Sequence, residues 1–267
     1  MPFDDRIFDD QRGAATAFVA TDAGLVAVSV AGDRTGVFSL AATGPTRDVT
    51  AHGEGLAVAT DDDVRLGDGE DLEDTGFGPA TAVGGDPLIA AGPDGRIGQW
   101  TGETWADRGR IDVEVRAVDG DLLATDAGVY RVSDDGVEHV GLEDARDVAT
   151  AGVPHAATAT GLYRLGAGWM DVLDGEFRAV AVDRATAEPG RIGRAHAATG
   201  EAFYGHDGEA WRERERPTDD PVVDVAYGPH LYAITASGTV LVDAGDGVRT
   251  RSLGVGGASA LAVPGRG

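Results

Sequence analysis

A chain of 267 residues without cysteine can bury a sizeable core, and it excludes disulfides, thiolate metal sites and a cysteine nucleophile. Forty-six acidic against 22 basic residues leave a net charge of −24, which argues against a broad phosphate-binding surface. No apolar run of about 18 residues is present, so no transmembrane helix is predicted.

Every basic residue is arginine. An acidic, lysine-free surface suits multimolar salt, where self-repulsion is screened within a few ångström. The composition reads as that of a cytoplasmic protein of an extreme halophile. Folding is then expected to weaken sharply as salt falls from molar to tens of millimolar. A melting temperature independent of salt over that range contradicts this reading.

Residues 1–13 are acidic, lack a signal-peptide core and read as an N-terminal extension. After them one phrase recurs along the chain: a short apolar segment ending in Ala-Thr, a turn, a glycine and a second apolar segment. It appears as Phe18-Val-Ala-Thr-Asp-Ala-Gly24, Ala57-Val-Ala-Thr60 and Ile89-Ala-Ala-Gly-Pro-Asp-Gly95. It continues as Leu122-Leu-Ala-Thr-Asp-Ala-Gly128, His155-Ala-Ala-Thr-Ala-Thr-Gly161, His196-Ala-Ala-Thr199 and Tyr232-Ala-Ile-Thr-Ala-Ser-Gly238. The threonine position falls at 21, 60, 92 (a glycine), 125, 158, 199 and 235, a mean spacing near 36.

Each unit has the same internal order. A segment such as Arg47-Asp-Val-Thr-Ala51 precedes the phrase, and a segment such as Gly128-Val-Tyr-Arg-Val-Ser133 follows it. A last segment often carries tryptophan: Trp105, Trp169 and Trp211. Short runs rich in Val, Leu, Tyr and Thr between Gly and Asp are strand and turn signals. Four antiparallel strands per unit and seven units predict an all-β, single seven-bladed β-propeller spanning residues 1–267. Alanine before the threonine position, at 20, 59, 91, 124, 157 and 198, lets blades approach closely. The threonine hydroxyl is placed to bond backbone in the turn, where the glycine tolerates positive φ. The chain begins on a second-strand segment, 16–20, and ends on a first-strand segment, 258–263. The C-terminal strand is therefore expected to join the N-terminal blade and close the ring.

The run Ala124-Thr-Asp-Ala-Gly-Val-Tyr-Arg-Val-Ser-Asp-Asp-Gly136 resembles the repeats of Asp-box (BNR-type) propellers, as found in sialidases, sortilin-like receptors and photosystem assembly factors. The box itself is degenerate, with Asp207-Gly-Glu-Ala-Trp211 its nearest relic. The whole chain also resembles uncharacterised haloarchaeal β-propeller proteins, a likeness that implies the fold and no activity. The sialidase roles do not transfer residue by residue.

Three constellations are candidate sites. Arg47, Arg116, Arg146 and Arg178 share one inner-strand position, with Thr81, Val223 and Ser259 in the other blades. They form either an anion site at the mouth of the axial channel or inter-blade braces with Asp48, Asp147 and Asp224, which occupy the next position of the aligned strands. His155, His196 and Tyr232 share a second-strand position whose apolar company favours core over metal. The acidic runs 61–63, 70–74 and 134–135 lack the spacing of a calcium loop and read as solvated surface. No hydrolase elbow, zinc-binding helix or phosphate loop is present, and neither cofactor nor metal is expected. The one clear insertion, Asp183 to Arg194, is the local hint of a partner contact. The function expected is a non-enzymatic cytoplasmic interaction platform: a monomer with a protein partner and with neither nucleic acid nor membrane. The alternative is a binder or enzyme acting on a small anionic or sugar-like ligand in the axial funnel.

Overall fold

The computed structural model describes residues 15–31, 34–216, 218–245 and 247–265; the extension expected over residues 1–13 lies outside them. Twenty-eight strands, β1 to β28 in chain order, form seven four-stranded antiparallel sheets among the described residues. Six sheets are contiguous in sequence: residues 46–74, 82–110, 115–141, 145–174, 177–214 and 222–252. We call these blades 2 to 7. Blade 1 is composite: β1 (Ala15–Thr21), β2 (Gly24–Ala31) and β3 (Arg34–Thr43) are joined by β28 (Ala260–Ala262). β28 pairs antiparallel with β1 in the register Phe18↔Ala262, Val19↔Leu261 and Ala20↔Ala260. The expected closure by the C-terminal strand is the one observed.

The repeated phrase explains the local geometry. The hydroxyls of Thr21, Thr125 and Thr158 donate to the carbonyls of Gly24, Gly128 and Gly161 at 2.7, 2.8 and 3.0 Å. Each thus locks the turn between second and third strands. At Gly24, φ is +140° and a Cβ would lie 2.0 Å from the Ala42 carbonyl oxygen, so no other residue fits that turn. The six alanines before the threonine position are fully buried, where one blade faces the next. The tryptophans open the fourth strands of blades 3, 5 and 6. Trp169 donates Nε1–H to the Val140 carbonyl of the preceding blade at 3.0 Å.

Seven innermost strands line the axis: β28, β4 (Thr46–His52), β8 (Ala82–Gly84), β12 (Val115–Asp119), β16 (Ala145–Ala149), β20 (Phe177–Val182) and β24 (Val222–Tyr227). Each packs on the next, and β24 packs on β28 to complete the circle. They surround an axial channel of about 810 Å³.

Candidate functional site

Five inner strands carry a β-bulge at one position, between Thr46 and Asp48, Val115 and Ala117, Ala145 and Asp147, Phe177 and Ala179, and Val222 and Asp224. The residues within the bulges are Arg47, Arg116, Arg146, Arg178 and Val223. A bulged residue leaves the ladder and its side chain is redirected, here to the rim where the inner strands begin.

Arg116, Arg146 and Arg178, from consecutive blades, meet at that rim around a recess of about 390 Å³ that also holds Asp144 and Glu176. Arg116 binds Asp144 at 2.5 Å, Arg146 binds Glu176 at 2.7 Å and Asp144 at 3.9 Å, and Arg178 approaches Glu176 at 4.0 Å. Glu114 lies 3.9 Å from Arg116. The rim is therefore a chain of alternating charge. Asp144 sits between two guanidiniums, on a left-handed backbone with φ of +44°. The bond from Arg146 holds the Glu176 carboxyl below its ordinary range. Arg47 stands apart from this recess. Blade 3, with Thr81 at the equivalent position, separates it from the others, and it forms a two-pronged pair with Asp61 at 2.7 and 2.8 Å.

The expected braces between these arginines and Asp48, Asp147 and Asp224 are corrected by this geometry. The bulge breaks the regular alternation, so the arginine turns to the rim while the aspartate, back in the ladder opposite the second strand, faces the next blade. Each aspartate instead clasps two backbones. Asp48 accepts N–H from Val49 and from Val83 of the next blade, both at 2.8 Å. Asp147 accepts from Val148 at 2.8 Å and Val180 at 2.7 Å. Asp224 accepts from Val225 and from Leu261 of β28, both at 2.6 Å. Each clasp reaches a blade whose own residue at that position is alanine: Ala82, Ala179 or Ala260. Desolvation pushes the Asp48 carboxyl up to about 6. Desolvation raises Asp147 to about 7, with Asp119 and Asp48 adding to it, and desolvation together with Asp147 raises Asp224 well above its ordinary value, while the accepted N–H bonds oppose the rise.

The insertion expected at Asp183 to Arg194 does connect the first and second strands of blade 6, at the opposite mouth. Its polar groups tie blades together. Arg184 pairs with Asp119 of blade 4, and Asp119 accepts the Thr150 N–H and hydroxyl at 2.6 and 2.8 Å. Gly190 donates its N–H to the Gly152 carbonyl at 3.0 Å.

His155, His196 and Tyr232 lie in three different blades, and no metal-binding cluster exists among the described residues. His155 is buried, with Nδ1 2.7 Å from the Val153 carbonyl, and burial lowers its pKa to about 4. Tyr232 is fully buried. His196 differs: it borders a slot of about 360 Å³ between blades 6 and 7. Its Nδ1 is 2.5 Å from the Tyr227 hydroxyl and its ring stacks on Phe203, 5.1 Å between centroids. Sequence spacing did not single out this slot, because its walls come from different blades.

A family model described as "Beta-prop_HVO_0234:-like, beta propeller" matches residues 3–264. None of the curated proteins matches the sequence. Among solved structures, the nidogen/laminin complex is similar with a TM-score of 0.57 and 10% identity, over 94% of this chain and 98% of that one. The computationally designed Ika8 protein is similar at 0.59 and 14%, over 93% and 90%. YCF48 bound to D1 peptide is similar at 0.55 and 15%, over 77% and 80%. Identities this low show the fold alone. The family match over nearly the full length, on a ring of seven four-stranded blades, places the chain in the HVO_0234-like β-propeller family.

Proposed function

We propose that the protein is a non-enzymatic cytoplasmic interaction platform that presents the arginine-bearing rim to a protein partner. The observation that carries this reading is the charge pattern of the rim. Three guanidiniums alternate with Glu114, Asp144 and Glu176, so the face offers paired polar contacts and a fixed register in place of a concentrated positive field. A small anion there competes with carboxylates already in place. The ring is stiff, since the aspartate clasps join blade to blade. YCF48, a propeller of similar fold, has been solved with a D1 peptide, which supports the reading that such a ring can take a polypeptide segment. Fold by itself does not decide function.

The second reading, a small anionic or sugar-like ligand in the axial funnel, is favoured by Arg178 alone. It ends the charge chain, and its Glu176 is already held more closely by Arg146. Arg146→Ala separates the two readings. On the platform reading the variant loses two partly exposed ion pairs, about 1 kcal/mol, and melts about 2–4 °C lower. Citrate or sulfate at constant ionic strength then shifts neither protein. A citrate-dependent rise in the wild type that disappears in Arg146→Ala overturns the platform reading in favour of an anion site. A photo-crosslinking residue at position 178, used in the native host at its own salt concentration, is expected to give one discrete protein adduct. That adduct is lost in Arg146→Glu, and absence of any adduct overturns the assignment of a protein partner.

A further inference from the structure

The slot between blades 6 and 7 has a local cause in the repeat register. On the third strand, Arg131 pairs with Leu122 and Arg164 with His155 in blades 4 and 5. At the same register in blade 6, Gly205 pairs with His196. The side chain is missing where its neighbours carry their longest one. A Cβ at Gly205 would lie 2.8 Å from Arg214 Nε and 3.1 Å from His196 Nε2, so the vacancy brings a guanidinium and an imidazole nitrogen together over bare backbone.

The groups around it are unlike the rest of this surface. Phe203, Val222, Leu231, Ala233 and Leu241 supply apolar wall. Arg214 pairs with Phe203 through the strand ladder, and its guanidinium has neither an ion pair nor a hydrogen bond among the described residues. The other two arginines of the slot are engaged: Arg194 with Asp183 at 2.9 Å, and Arg216 with the Gly200 carbonyl at 2.9 Å. The carboxylates of the slot are Asp207, Glu215 and Asp243. Asp207 pairs with Arg212, Asp243 accepts the Gly245 N–H at 2.8 Å, and Glu215 is exposed. Burial, reinforced by Arg194 and Arg214, lowers the His196 pKa to about 4, so the ring is neutral at pH 7.

We infer that this slot is a binding site for a small aromatic carboxylate. Its carboxylate meets Arg214, with His196 Nε2 beside it. Its ring lies along Phe203 and Leu241. The site is separate from the arginine rim, and it stands or falls independently of the platform reading.

The probe is 6-hydroxy-2-naphthoate, whose fluorescence anisotropy is titrated at constant high salt. Saturable 1:1 binding is expected in the wild type. Arg214→Gln changes an exposed residue at the end of an outer strand and is expected to weaken binding about tenfold, the scale of one charge-assisted hydrogen-bond pair. Arg178→Gln, outside the slot, leaves binding unchanged. Gly205→Arg installs the residue of blades 4 and 5; it adds positive charge but fills the vacancy, and binding is expected to disappear. Circular dichroism melts confirm that each variant is folded. No saturation by about millimolar probe overturns the inference, as does equal affinity in Arg214→Gln. Tighter binding in Gly205→Arg, or loss in Arg178→Gln, assigns the probe to general electrostatic attraction or to the rim and also overturns it.

Discussion

Deleting residues 258–267 is expected to abolish cooperative unfolding and leave an aggregating chain. The reason lies in how β28 is shared. Leu261 and Val263 are buried in a cluster with Val19, Tyr232 and Ile234, so they join blade 1 to blade 7. Ala260 and Ala262 are buried in another with Phe18, Leu25 and Val49, which joins blade 1 to blade 2. Losing the leucine and valine alone forfeits about 3–6 kcal/mol of burial, comparable with the whole stability of many domains. The deletion also removes the Leu261 N–H that Asp224 accepts and exposes the edge of β1 for pairing with other chains. Adding a peptide of residues 258–267 in trans is expected to restore a single thermal transition. A shortened chain that melts like the intact one refutes closure as the source of stability.

Stability is expected to rise as pH falls from 8 to about 6.5, the reverse of ordinary acid denaturation. Asp48, Asp147 and Asp224 all have folded-state pKa values above the unfolded value near 3.8. Between the two values the folded chain holds protons that the unfolded chain has released. Stability therefore falls as pH rises through this window, from about 4 to the folded pKa, and flattens above it. For Asp48, a rise to about 6 corresponds to roughly 1–3 kcal/mol after allowance for water in the channel. Below about pH 6.5 the buried, neutral His155 and His196, both lowered to about 4, oppose this gain, and below about pH 4 the trend reverses. Asp61 and Glu176, depressed by Arg47 and Arg146, then become protonated and lose their partners.

Asp147→Ala isolates the effect. At pH 5 it removes the acceptor of two backbone N–H groups and is expected to cost about 1–3 kcal/mol. At pH 8 the loss is offset by removal of a desolvated charge, so the variant approaches the wild type. Melts at constant molar salt read both. An unchanged slope in the triple variant Asp48→Ala, Asp147→Ala, Asp224→Ala contradicts the assignment of this pH dependence to the channel carboxylates.

The architecture was legible in the sequence because a propeller blade is built from near neighbours in the chain. The spacing of Thr21, Thr60, Thr125, Thr158, Thr199 and Thr235, the alanines before them and the recurrent tryptophans report strand pairing and blade contact within one repeat, while the match of 258–263 to other first strands announced the closure. The arginine position was also visible, since it repeats in register. Its partners were not. Asp61, Asp144 and Glu176 arrive from loops, and the bulges that redirect Arg116, Arg146 and Arg178 depend on the pairing of each inner strand with the next. Asp48 and Asp147 follow arginines in sequence and Asp224 follows Val223, yet past each bulge all three turn to the backbone of the following blade. The slot at Gly205 exists because Arg214, His196 and the walls of blade 7 converge there. Repeat arithmetic determines the blade, because its contacts are local; only the closed ring decides what lies between blades, because those contacts join residues that no fixed spacing relates.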